Sequence, residues 1–335
     1  MRVGSRFNRT YELTINPNTG QPPINLFADD LASTLSLNQY QSQSLIISHP
    51  YVRGGVMTNG LGIKFRVERG LGYTNNTANI EIFNLNTTAR RFLTQDLYNL
   101  PLKDRIVNLF AGYLGQNRQK KIFNQLFTGH LMEGGSVRVE TDIITKLCCQ
   151  EGGYFLNAPS ALVNQAFGMG VTGNDILRTL LQAIGLNINA LICSPETKKE
   201  LANVQQPQTL IGNAYSLLTK QYGQTFFVDN GTPTLLKFGE VITGIVPILT
   251  SSTGLIGTPL RQETKIIVKT MFEPRIILGQ ILEIQSDSTP EYNGQYKVVG
   301  IFHEGTISPS QNAELITTIQ LFIGTQSLGA FKLIA

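Results

Sequence analysis

Charge is scarce in this chain: Lys, Arg, Asp and Glu make up 15% of its 335 residues, against roughly a quarter in soluble domains. The formal net charge is only +4, and no basic cluster is longer than Lys120-Lys121. That excludes the basic stripe of a dedicated nucleic-acid binder. Histidine is scarcer still, with His49, His130 and His303 far apart in sequence, so no base stands beside a nucleophile. G-x-S-x-G, H-E-x-x-H and C-x-x-C are all absent, which removes the usual hydrolase and zinc signatures. Cys148 and Cys149 are adjacent and Cys193 stands alone. That spacing is neither a disulfide framework nor a metal set, and the three read as small buried apolar residues. The longest apolar run, residues 241–249, is broken by Gly244 and Pro247 and falls far short of the ~20 residues that span a bilayer. The first five residues lack the apolar stretch of a signal peptide. The expectation is therefore synthesis in a cytoplasm and no membrane insertion.

What is present is β pattern. Hydrophobic residues make up 41% of the chain, and the length predicts two to three packing units at about 150 residues each. Phe7–Ile15, Gly62–Val67, Ala78–Phe83, Arg105–Tyr113, Lys121–Leu131 and Val137–Leu147 read as strands, with Ile80 and Ile82 on one face of theirs. A helix is predicted after Asn86 or Thr87, with Ala89, Phe92, Leu93 and Leu97 on its apolar side and Arg90 and Arg91 on its wet side. Residues 16–44 are rich in Asn, Gln, Pro and Ser. They read as a long loop with one helical turn around Phe27, Leu31 and Leu35, an arm suited to wrapping a neighbour.

The middle differs in kind. Thr172 and Asp175 form a capping-box spacing, Ile176, Leu177, Leu180, Leu181 and Ile184 an apolar stripe, and Gly185 a C-terminal stop. A second helix is predicted from Asn213 to Gly223, and a hairpin around Asp229-Asn230-Gly231 joins Thr225–Val228 to Leu235–Phe238. The last third predicts strands at Lys265–Thr270, Gln280–Gln285, Gln295–Phe302 and Glu314–Phe322. Their order echoes that of the first group, which reads as two versions of one small barrel. The predicted fold is mainly β with an α+β insert: a first barrel with its polar arm over 1–149, an α/β module over 150–236 and a second barrel over 237–335, with strands open to exchange between modules.

Most candidate chemistry fails on context. Gly168-Met169-Gly170-Val171-Thr172-Gly173 is a literal G-x-G-x-x-G, yet no buried parallel strand precedes it, so it reads as a loop ending in a helix start. Glu81, Asp142, Glu151 and Asp175 are the carboxylates a glycosidase would draw on. No spacing brings two of them together, and they read as surface or capping residues. The three histidines read as strand or turn residues with satisfied hydrogen bonds. A cell-wall hydrolase and a nucleotide-binding enzyme are therefore the alternatives to a structural, non-enzymatic protein with no cofactor and no metal.

Residues 79–86, Asn-Ile-Glu-Ile-Phe-Asn-Leu-Asn, lead into the Arg90-Arg91 helix. Leu109-Phe110-Ala111-Gly112-Tyr113, Phe127-Thr128-Gly129 and Asp142-Ile143 follow. Further on come Thr253-Gly254-Leu255-Ile256-Gly257-Thr258-Pro259, residues 272–279 (Phe-Glu-Pro-Arg-Ile-Ile-Leu-Gly), and Tyr292-Asn293-Gly294-Gln295-Tyr296 with His303 and Gly305. In this order the series resembles the baseplate hub proteins of tailed bacteriophages, relatives of the base of type VI secretion spikes. The positions that carry the likeness are Asn84, Leu85, Arg91, Gly112, Gly129, Gly254, Leu255, Pro259, Pro274, Gly279, Asn293, Gly294 and His303. The resemblance covers most of residues 60–325; the 16–44 arm has no counterpart in it, and the absence of tryptophan departs from the family. It implies two tail-tube-like barrels per chain. It also implies a homotrimer between a hexameric tail tube, or distal tail protein, and a trimeric central spike. The tape-measure protein and baseplate wedge would be further neighbours, and DNA would pass through the channel without specific binding. The implied location is the phage tail baseplate of the virion, assembled in the host bacterial cytoplasm.

Overall fold

Alternation decides the strands, and the computed structural model shows the result for residues 9–16, 24–26, 44–53, 56–58, 60–71, 76–94, 105–115, 120–151, 161–222, 226–237, 239–242, 244–308, 314–323 and 332–334. The first part of the chain forms β1 (Arg9–Ile15), β2 (Ile24–Leu26), β3 (Leu45–His49), β4 (Tyr51–Arg53) and β5 (Val56–Thr58). β6 (Ile63–Gly70), β7 (Thr77–Phe83), helix α1 (Thr87–Leu93), β8 (Ile106–Leu114), β9 (Lys120–Val139) and β10 (Asp142–Gln150) follow. In β6, Ile63, Phe65 and Val67 are buried while Lys64 and Arg66 face out, the period of two that a half-buried strand requires. α1 starts where Asn86 Oδ1 accepts the Ala89 N–H at 2.8 Å, filling one of the donors a helix start leaves open.

The middle part holds β11 (Leu162–Phe167), α2 (Gly173–Ala183), β12 (Ile192–Cys193), α3 (Pro195–Ala202), β13 (Gln208–Asn213), α4 (Ala214–Tyr222), β14 (Phe226–Asp229) and β15 (Thr232–Leu235). The capping box of α2 is formed in both directions, with Thr172 Oγ1 accepting from Asp175 N and Asp175 Oδ2 accepting from Thr172 N. At the far end Gly185 takes φ 75° and the Leu186 N–H reaches Leu181 O, so the stop is the expected glycine turn. Ile176, Leu177, Leu180 and Leu181 are fully buried.

The last part contributes β16 (Glu240–Ile242), β17 (Ile248–Leu249), β18 (Leu255–Gln262), β19 (Lys265–Met271), β20 (Ile281–Ile284), β21 (Gly294–Ile307), β22 (Leu315–Phe322) and β23 (Lys332–Ile334). One large, mainly antiparallel sheet runs β18-β19-β22-β21-β6-β7-β10-β9-β8-β1-β3-β2, with β20 on β21 and β17 on β20. The echo seen in the sequence has a counterpart here. The ladder order β6-β7-β10-β9-β8 repeats as β18-β19-β22-β21-β20, every pair antiparallel. The two five-strand units meet where β6 pairs with β21, from Ile63 opposite Ile307 to Gly70 opposite Gly300. Among the described residues no ladder closes this path on itself.

Three apolar cores result. One lies inside the first unit and includes Phe272, Ile307 and Leu315 from the last part of the chain. A second lies inside the last unit with Phe227 and Leu236 of the middle part, and a third is wholly within the α/β module. Tyr113 donates to Phe272 O at 2.8 Å, and the Phe272 ring meets Phe65, Tyr113 and His303. The last part of the chain thereby plugs the first core.

Several expectations change. Val137–Leu147 is not one strand: β9 runs on to Val139, Glu140 turns at φ 54°, and β10 begins at Asp142. No Gly, Asn or Pro marks that turn, so the β-rich flanks concealed it. Residues 24–26 form a strand parallel to β3 where a loop was expected, because Ile24 has a core to enter. The hairpin's second strand starts at Thr232, right after Asn230 (φ 52°) and Gly231 (φ 77°), tighter than the predicted Leu235 start. Leu162–Phe167 is a strand, but only Val163 in it is buried and it runs antiparallel to β13, so no buried parallel strand precedes the glycine loop, as expected. α3 was missed, although Ser194, Pro195 and Glu196 are an N-cap, a first-turn proline and a first-turn acid. The predicted helical turn at Phe27, Leu31 and Leu35, together with Leu97, Gly223 and Phe238, lies outside the described residues.

Two substitutions separate cap from core. Thr172→Ala should lower unfolding free energy by about 1 kcal/mol and Leu180→Ala by roughly 2–5 kcal/mol, as measured by urea denaturation followed by circular dichroism.

Candidate functional site

Two features of the sheet stand out: what it leaves open and what it encloses. β18 is the terminal strand of the path, and its outer edge has no partner among the described residues. Ile256 and Leu260 on it are exposed. Pro259 falls in the irregular stretch between Ile256 and Leu260, where a missing N–H interrupts no regular ladder. The distal half of β9 is open in the same sense. It pairs with β10 along one edge, while the ladder to β8 on the other edge ends at His130. Val137 and Val139 stand exposed near its tip. Open edges with apolar side chains are sites for further strands.

Enclosed beneath the sheet is a polar junction. Alternation carries Arg69 inward, on the same side as Ile63, Phe65 and Val67, and it is 3% exposed. Its Nη1 donates to Asp229 Oδ1 and Oδ2 at 3.2 and 3.3 Å, and its Nη2 to Ile276 O at 3.1 Å. Asn76 donates to Glu151 Oε2 at 2.6 Å and to Val228 O at 3.1 Å, and accepts from Gly70 N at 3.0 Å. Glu151 also accepts the Gly231 N–H. Strand ends from the first unit are thus tied to the 229–231 turn of the α/β module, and Arg69 adds the last part of the chain. The buried Glu151 and the half-buried Asp229 lie beside one guanidinium, and only Asp229 is bonded to it. Burial first, and then the charge of Asp229, push the Glu151 carboxyl up to about 7, because a second negative charge there has no cation of its own.

Sequence reasoning missed this cluster. Glu151 was expected at the surface or in a cap and is instead 6% exposed, because β10 ends against the 229–231 turn. The signal was available in β6, where extending the 63, 65, 67 alternation by one step places a charge inside. Asp175 is the cap residue expected; Asp142 bonds Asn84 at the β9–β10 tip; Glu81 lies between Lys64 and Lys146 on the outer face. Cys149 and Cys193 are buried, but Cys148 is exposed because it falls on the outward parity of β10. Among the described residues no three His, Cys, Asp or Glu side chains converge as a metal site. The loop at 168–173 precedes α2, but β11 before it runs antiparallel to β13, so the βαβ geometry of a dinucleotide site is not there.

The thirteen positions singled out by resemblance do not converge on one site. Asn84 (φ 57°) turns the chain after β7 and bonds Ile143 through backbone and side chain; Leu85 is buried behind it and Arg91 is exposed on α1. A Cβ on Gly112 would lie 1.8 Å from Ile122 O, and one on Gly129 would lie 2.7 Å from Gln150 O, so both allow close strand approach. Gly254 O accepts from Thr270 and Met271, and Leu255 opens β18. Pro274 is buried, and Gly279 turns at φ 80° with its N–H on Val298 O. Asn293 Oδ1 accepts from Ser286 N at 2.6 Å, and Gly294 starts β21. His303 is fully buried, with Nδ1 2.9 Å from Thr317 Oγ1, while its Nε2 has no hydrogen-bond partner among the described residues. The expectation of a satisfied histidine holds for one ring nitrogen. Burial and the nearby Arg69 keep the ring neutral, its pKa well below the usual value.

Comparison with known proteins gives these edges a context. The family model described as baseplate hub gp41 matches residues 45–304. No curated protein matches the sequence. Among solved structures, an E. coli protein described as a component of the type VI secretion system, with structural similarity to the T4 tail proteins gp27 and gp5, is similar at a TM-score of 0.52. It has 9% identity and covers 82% of this chain and 77% of its own. A 43 kDa prophage tail protein from Shewanella oneidensis (TM-score 0.48, 10% identity, 80% and 94% coverage) and a tail protein from Neisseria meningitidis (0.48, 9%, 80% and 94%) are also similar.

The polar junction has a measurable consequence. A carboxyl raised in the folded state binds its proton more tightly folded than unfolded. Its stabilisation is therefore full below the unfolded pKa near 4.5 and is lost as pH rises through about 7. The whole shift corresponds to roughly 3 kcal/mol. Thermal melts should show stability falling from pH 5.5 to 8, with the slope over this range reduced in Glu151→Gln; an equal slope in both proteins contradicts the assignment.

Proposed function

Because the chain belongs to the baseplate hub gp41 family, we propose that it is the homotrimeric hub of a phage tail, joining a hexameric tail tube to a trimeric central spike. Family membership makes it a structural protein of the phage tail baseplate, and so of the virion. The observation that carries the finer reading is the duplicated ladder order, β6-β7-β10-β9-β8 and β18-β19-β22-β21-β20. Three chains would present six such units to a six-fold tube and a three-fold face to a spike, which is the symmetry match an adaptor needs.

In this reading each unit curls into a tube-like barrel, one within 1–149 and one within 237–335, with 150–236 as the α/β module between them. The six units surround a channel through which DNA leaves without specific binding, in keeping with the small net charge. The tail tube or distal tail protein, the spike, the tape-measure protein and the baseplate wedge are the partners, and the arm at 16–44 reaches a neighbour. The glycines and turn residues named above serve as packing and turn positions. The protein has no catalytic role; the buried Glu151 and its neighbour Asp229 are occupied by Arg69, Asn76 and Gly231.

Light scattering on the purified protein at high concentration should give the mass of three chains. A monomer that also ignores tube and spike proteins overturns the proposal. Removing residues 27–43 should weaken assembly yet leave thermal unfolding cooperative; a loss of cooperativity contradicts a role for the arm in assembly alone.

A further inference from the structure

The two five-strand units share the register of their central ladders, while β18 carries two more residues between Ile256 and Leu260 than β6 does between Lys64 and Arg66. Thr77 to Phe83 pair with Gln150 to Ile144, and Lys265 to Met271 pair with Phe322 to Ile316 in the same sense. His130 in β9 pairs with both Ile106 and Gln150; Lys297 in β21 pairs with both Ile281 and Phe322. Two residues beyond each of these positions the register slips, at Met132 in β9 and at Val299 in β21. The equivalence of Lys297 with His130 therefore extends to Gly300–Thr306 with Glu133–Val139.

In β21 the edge that β20 leaves at Lys297 is taken by β6 from Gly300 onward. In β9 the edge that β8 leaves at His130 is taken by nothing among the described residues. The counterpart of β6 is β18, the strand with the open outer edge. Each unit thus offers the same donor strand and the same acceptor edge, and the chain uses only one of the two joints. Within one copy β18 and β9 do not pair, and six strands lie between them along the path.

We propose that β18 of one copy pairs antiparallel with residues 133–139 of β9 in a second copy, Leu260 facing Val137 and Ile256 facing Val139. The register follows from the internal joint. Arg66 and Lys64 of β6 face Glu304 and Thr306. Through β7 and β19, Arg66 corresponds to Leu260 and Lys64 to Ile256, while Glu304 and Thr306 correspond to Val137 and Val139. The four residues so matched are among the exposed large apolar side chains of the molecule, at 64%, 45%, 41% and 47% for Leu260, Val137, Ile256 and Val139. Where the internal joint places polar residues opposite one another, this joint places apolar ones, and cross-strand apolar pairs favour the pairing. The backbone groups of both edges gain partners at the same time. The contact is head to tail, so it repeats around a ring; that the ring closes at three rests on the hub reading above.

A charge swap tests it. Leu260→Glu and Val137→Lys should each raise the concentration needed for assembly at least tenfold, and the double variant should restore it. In a Cys148→Ser background, Leu260→Cys with Val137→Cys should form a disulfide between chains under mild oxidation, and neither single cysteine should; this arm holds even if the charged variants fold poorly. A wild-type trimer with no cross-link, and unaffected by the single charges, overturns the pairing and leaves the trimeric hub standing. A wild-type chain that stays monomeric overturns both.

Discussion

Eight residue pairs between β6 and β21 hold the large sheet together as one object. β6 is paired along both edges, with β7 on one side and β21 on the other, so its backbone donors and acceptors are spent and it is buried on one face besides. The contacts between the first and last parts of the chain lean on that joint. It brings Phe272 over the first core, where Tyr113 bonds its carbonyl and Phe65 and His303 meet its ring. It also carries Arg69, at the end of β6, to the point where all three parts of the chain come together.

The polar junction at Arg69 works against the apolar cores in cost but with them in geometry. Burying the Glu151 carboxylate beside Asp229 without a cation of its own is expensive, and the raised Glu151 carboxyl expresses that expense. What the junction supplies is direction. Hydrogen bonds from Asn76, Gly231 and Arg69 admit one placement of the 229–231 turn against the strand ends, whereas apolar contact alone would tolerate several. Polar contacts with narrow angular tolerance hold the module in one orientation better than area does.

The duplicated unit joins this internal order to assembly. A strand and an acceptor edge occur twice in the chain and are matched once within it. An open edge with apolar side chains is a hazard for an isolated protein and a site where a further strand can add. The low charge of the chain fits surfaces of that kind better than it fits a freely solvated monomer.

The sequence by itself determined the local elements and their class. Period-two alternation marked β6, β7, β19 and β22, the Thr172–Asp175 cap and Gly185 bounded α2, and Asn230-Gly231 marked its hairpin, because each depends on neighbours a few residues apart. The order of strands in the two groups was legible too, and with it the echo between them. What only the tertiary structure decided was which edge meets which. The pairing of β6 with β21 joins residues more than two hundred positions apart, and the meeting of Arg69, Asn76, Glu151 and Asp229 joins segments far apart in sequence. Glu151 could be read as a surface residue because nothing near it in sequence covers it. The turn at Glu140 was hidden for a related reason: its flanks have strand chemistry on both sides, and the chain reverses there because β10 has β7 and β9 to lie between.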